Sequence, residues 1–299
     1  MEIVHIRSKD QTAYFEIIPS VGGMLSQLNW DGNVIKIPFA DRYNLGENPY
    51  HPSALLAPWV NRIRNGNYSF EGRNYQLPIN EPKLGNAIHG LLARKPFECH
   101  TEDQKATLTY KYPVDEKAYP FPFEMQLGYE FVENNVFQMQ FEAKNTGTNN
   151  MPFACGWHPY FTLPEGKLAD WTITFNSESK CISDSQMIPL REEPYNASMG
   201  VDLGKETLDN VFRLQKMPQH ITQLMSKKTG ASLFLEQSSL DFPFLVVFAP
   251  EGENCIAIEP MTANTDAFNT GDGIKVLAPG ELFRLNVKIW YRKAEKTDL

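Results

Sequence analysis

The chain has 299 residues, 42% hydrophobic and 21% charged, which excludes disorder and allows a large core. Its 36 acidic against 28 basic residues leave a net charge of −8 with no dense Lys/Arg run, so nucleic acid is not an expected partner. The N-terminal stretch has no basic segment followed by an apolar run, and nothing approaches the roughly 20 apolar residues that span a bilayer, so a cytoplasmic protein with no membrane partner is expected.

In chain order, turn pairs at Asp31-Gly32 and Glu71-Gly72 punctuate the first hundred residues. Over 124–132 Met125, Leu127, Tyr129 and Phe131 share one face, and after Glu133-Asn134-Asn135 the pattern repeats at Phe137, Met139, Phe141 and Ala143, predicting a hairpin. Trp171, Ile173 and Phe175 alternate in the same way, 184–207 reads as a long irregular surface connection, and 283–291 alternates again. Twenty-one prolines and the absence of a capped 3.6-residue apolar period leave little room for helices. The expectation is an all-β protein with strands in a sandwich or barrel, formed as one domain over 1–299.

Four cysteines (Cys99, Cys155, Cys181, Cys255) lack CxxC spacing and are expected as thiols in or near the core. Among six histidines, His158 lies in the aromatic run Phe153–Phe161, where an imidazole fits either a core group bonded to backbone or a positioned proton carrier. His89 precedes Gly90, which permits a close backbone approach or a turn. Glu259 shares a face with Ala257; if both strand faces are covered its carboxyl is buried and its pKa raised, and if one is open it is a wet surface group. The histidines show no metal-ligand spacing, and Gly-x-Ser-x-Gly, P-loop and dinucleotide patterns are absent, so no metal or nucleotide cofactor is expected.

Several segments, in order over most of the chain, resemble the aldose 1-epimerase (galactose mutarotase-like) family. They are Ile18-Pro19-Ser20-Val21-Gly22-Gly23-Met24-Leu25, Val60-Asn61-Arg62-Ile63 with Gly66, Asn86-x-x-His89-Gly90, His158-Pro159-Tyr160-Phe161 and Leu208-Asp209-Asn210-Val211-Phe212. Glu259-Pro260 with Asp266-Ala267-Phe268-Asn269 and Leu277-Ala278-Pro279-Gly280-Glu281 complete the set. The resemblance implies a large antiparallel β-sandwich and a cofactor-free isomerase acting on a small sugar. In that family's scheme Glu259 would be the general base, His158 the general acid, and Arg62, His89 and Asp209 would bind the sugar. His158 would begin protonated and Glu259 ionised, and Trp59, Trp157 or Phe161 could stack on the sugar. Ala57-Pro58, Leu91 and Val246 depart from the galactose enzymes' pattern, so selectivity for galactose is not implied. An unphosphorylated aldohexose is expected, because the arginines near the motifs do not cluster. The alternatives are a hexose-6-phosphate epimerase using Arg64, Arg73 or Arg94, a non-catalytic sugar-binding protein, and a polysaccharide-processing domain.

Overall fold

The computed structural model describes residues 2–293 except 33 and 115–117. Two large antiparallel sheets face each other, as the alternation predicts. One has nine strands in the order Ala197–Asp202, Trp171–Phe175, His220–Ser226, Ser232–Gln237, Leu282–Arg292, Phe137–Asn145, Phe123–Phe131, Lys105–Tyr112 and Glu98–Glu102. The other has eight: Pro189–Pro194, Ser177–Ser183, Asp209–Leu214, Phe244–Phe248, Ile256–Met261, Gly156–His158 and Ala54–Leu56, with Tyr160–Phe161 also on Ile256–Met261.

The hairpin read at 124–143 is present, with Met125 opposite Ala143 and Leu127 opposite Phe141. The predicted inward residues of both strands are buried, while Gln126, Glu130 and Gln140 lie on the wetter face. Each fully buried Leu, Met or Phe contributes roughly 1.5–3 kcal/mol, so the pleat's preference for one face is decided many times over along such a hairpin. Phe175 of one sheet meets Phe212 of the other edge-on at 4.9 Å, marking where the layers close.

Residues 184–207 are not an irregular connection. They contain Pro189–Pro194 and Ala197–Asp202, an outer strand of each sheet. Outer strands are half-solvated, and the first of these is largely exposed, so it lacks the apolar alternation that reveals an inner strand. All four cysteines are free thiols; three are buried, and Cys99 is exposed on the strand at the other end of the nine-stranded sheet.

Candidate active site

The site is built where a strand changes partner. In the eight-stranded sheet Gly156 pairs with Met261 and Tyr160 with Ala257, which brackets His158 against Glu259 at the opposed position. Pro159 has no N–H to give, so the ladder breaks there, although its carbonyl still accepts from the Ile258 N–H at 3.3 Å. On Glu259's other side stands Val246, its direct pairing partner, so the three side chains form one cross-strand row.

All six residues of Ile256–Met261 are buried, which meets the covered-face condition for Glu259. Its Oε1 lies 3.3 Å from His158 Nε2, with both residues at most 5% exposed. Glu259 Oε2 and His158 Nδ1 are buried without a protein partner, leaving hydrogen-bonding capacity at the floor of a cavity of about 1220 Å³. Burial, reinforced by the nearby Asp209 charge and opposed by Arg62, raises the Glu259 carboxyl well above its usual range. Burial also pushes His158 down to about 3, with His51 and Arg62 adding to the effect. Burial thus works against the charged form of each group, and the 3.3 Å contact lets one proton pass between them.

The remaining expected residues reach the same cavity by reciprocal backbone locks. The His89 N–H donates to the Asn61 carbonyl at 2.9 Å, and the Asp266 N–H donates to the Arg62 carbonyl at 2.7 Å. Asp266 Oδ1 in turn accepts from the Arg64 N–H at 3.0 Å, so the Asn-Arg-Ile and Asp-Ala-Phe-Asn motifs clamp each other. Fully buried Asn86 accepts from the Asn65 N–H and donates to the Gln186 carbonyl, fixing the strand Ala87–Ile88 that leads into His89. Asn61, His89 and Asp266 all have left-handed backbones, a concentration of strain that surrounding structure must hold in place. The Arg62 guanidinium grips Glu81 from Nε at 2.9 Å and Nη2 at 2.8 Å, a fork that fixes its plane. Asp209 stands at the rim, its carboxyl raised by partial burial while Arg62 opposes the shift.

Two further residues line the cavity: His51, which carried no role in the sequence reading, and Arg94, named there only as a candidate phosphate ligand. His51, with a left-handed backbone, packs edge-on against His89 at 4.9 Å, and His89 packs likewise against His158 at 5.1 Å, a row of three imidazoles. Burial holds His89 well below its ordinary value and His51 down to about 4. Of the proposed stacking aromatics, Trp59 lines it, whereas Trp157 and Phe161 are in the core, Trp157 donating to Ser53 Oγ at 3.0 Å. Tyr160 and Phe248 line it instead, and Tyr160 stacks on His158 at 5.0 Å. Of the other candidate phosphate ligands, Arg64 is ion-paired to Asp184, and Arg73 sits on an exposed two-strand hairpin. Among the described residues no group of three or more His, Cys, Asp or Glu side chains could hold a metal.

Residues 6–290 match the family described as aldose 1-epimerase. The chain belongs to the aldose 1-epimerase family. The uncharacterised protein YihR of Escherichia coli K12 is 27% identical over 97% of this chain and 96% of its own. A galactose mutarotase-like protein from Clostridium acetobutylicum superposes with a TM-score of 0.85 at 21% identity, covering 98% of this chain and 99% of that one. Galactose 1-epimerase from Lactobacillus acidophilus superposes at 0.78 with 18% identity, over 99% of this chain and all of the other. These structures share the family's fold, a large antiparallel β-sandwich. Among the described residues no helix is long and apolar enough to cross a membrane.

Proposed function

We propose that this protein is an aldose 1-epimerase that interconverts the α and β anomers of an aldohexose. The observation that carries the reading is the His158–Glu259 pair, opposed in register, 3.3 Å apart, and buried at a cavity roomy enough for a sugar. Ring opening removes the proton from the C1 hydroxyl and adds one to the ring oxygen. Those two oxygens share one carbon, so one acid and one base lining a single pocket can serve both.

In the forward step Glu259 takes the O1 proton as the C1–O5 bond breaks and His158 delivers its proton to O5, giving the open-chain aldehyde. Rotation about C1–C2 presents the other carbonyl face, and O5 attacks it with the two groups exchanging roles. The pair ends with the proton it began with. Arg62, held by Glu81, and His89 would steady charge at the ring oxygen and bind neighbouring hydroxyls, while Asp209 would accept a hydrogen bond from a sugar hydroxyl at the rim. No cofactor takes part in this scheme.

The presence of both proton-transfer residues favours a catalyst over a sugar-binding protein on the same fold. The L. acidophilus relative, a galactose 1-epimerase, supports the reaction class. Polarimetry on freshly dissolved α-glucose and α-galactose tests the proposal: the protein should speed the approach to the equilibrium rotation, and a rate equal to that of buffer would refute it.

A further inference from the structure

His51, Lys83 and Arg94 line the same cavity as His158 and Glu259, and the charges that act on His51 are Arg94, Glu81 and Arg62. Arg62 is already taken by Glu81, but no carboxylate among the described residues pairs with Arg94 or with Lys83, which lines the same cavity. A cation at a cavity wall without a counter-ion is a site for one brought by the ligand.

The backbone that carries Arg94 is fixed by two close approaches. Gly22 has its α-carbon so near the neighbouring turn that a Cβ would lie 2.4 Å from the Ala93 carbonyl oxygen, and its N–H donates to the Lys95 carbonyl at 2.8 Å. On the other side Leu91 N–H donates to the Ala57 carbonyl at 2.7 Å. Residues 91–95 are thus pinned between two segments, and Arg94 is presented from a rigid turn. His51, lining the same cavity, is held largely neutral at pH 7 by burial, so it can donate a hydrogen bond from an N–H without itself needing a counter-charge.

We propose that Arg94, with His51 and Lys83, forms a subsite for an oxyanion carried on the sugar at the end remote from C1. The proposal rests on the epimerase reading for the position of C1, at His158 and Glu259. His51 lies two imidazole contacts from His158, through His89 at 5.1 and 4.9 Å, and shares the cavity with Arg94. The subsite replaces the expectation of a neutral sugar, which rested on arginines that do not cluster in sequence.

The test compares anomer exchange and calorimetric binding for glucose, glucose 6-phosphate and glucuronate, in the parent protein and in Arg94→Gln. The two acidic sugars should have higher kcat/KM than glucose, with KM values that rise with added salt while that of glucose does not. The ratio of kcat/KM for glucose 6-phosphate to that for glucose should fall about 10- to 100-fold in Arg94→Gln, the range of one charge-assisted contact. Arg94→Lys should restore part of it, and the uronate arm tells a monoanion from a dianion preference. A ratio unchanged in Arg94→Gln, or acidic sugars poorer than glucose in the parent, overturns the subsite while leaving the epimerase reading intact. Binding of acidic sugars that depends on Arg94, without anomer exchange on any sugar, supports the subsite and overturns the epimerase reading.

Discussion

Replacing Gly90 with alanine should separate the cost of backbone strain from the cost of displacing His89. Gly90 has φ +70°, and a Cβ there would lie 2.1 Å from the Ala57 carbonyl oxygen and 2.5 Å from its carbon. The left-handed backbone alone costs an alanine roughly 1–2 kcal/mol. The clash adds about 1–3 kcal/mol, as for overpacking elsewhere, because the atoms in the way are backbone and cannot swing aside. Gly72 provides the control, with φ +75° and nothing within 4 Å of the same Cβ. Gly90→Ala should therefore lower Tm by about 10 °C and Gly72→Ala by about 3 °C, at roughly 2–4 °C per kcal/mol for a chain of this size. To relieve the contact the turn must retreat by about 1 Å, a misplacement that can cost on the order of 10²-fold in rate. Differential scanning calorimetry and anomer exchange on both variants check this. Equal Tm losses, or a Gly90→Ala protein with parental turnover, would show that the close approach does not hold His89.

Two further outcomes follow from the same geometry. Glu81→Gln removes the charged half of the fork on Arg62 and should lower kcat/KM about 10-fold with little loss of Tm; unchanged kinetics would mean that Glu81 does not position the guanidinium. His51 has a folded pKa depressed from 6.5 to about 4, so it binds its proton less readily folded than unfolded, and its contribution to stability is present above pH 6.5 and lost as pH falls toward 4. His51→Asn, which tolerates the left-handed backbone, should flatten the stability curve over that window by about 3 kcal/mol in urea titrations; parallel curves would contradict the burial argument.

The large sheets were legible because inner strands such as Phe123–Phe131 bury alternate residues and so write their pleat into the sequence. Pro189–Pro194 wrote no such pattern, since an outer strand exposes both its faces in part. Glu259 could be named from the Glu-Pro motif, but not its burial, which depends on a neighbour strand broken at Pro159. That His51 and, of the three candidate arginines, Arg94 line the cavity was illegible for a different reason. Their positions follow from the left-handed turn at 51 and from the packing of residues 91–95 against Gly22, contacts between segments with no fixed spacing. Trp157 and Phe161, aromatic neighbours of His158, could not be assigned to core or cavity by composition; strand direction sends Trp157 inward to Ser53.

The most direct measurement is the rate of anomer exchange, by polarimetry, of the parent protein, Glu259→Gln and His158→Asn on a sugar that the parent accepts. Glutamine keeps the shape of the carboxyl without its exchangeable proton, so folding should be little changed, while removal of either proton-transfer group should lower turnover about 10²–10⁴-fold, or roughly 3–5 kcal/mol of transition-state stabilisation. Near-parental turnover in either variant, with circular dichroism and Tm preserved, would contradict the assignment of the reaction to this pair.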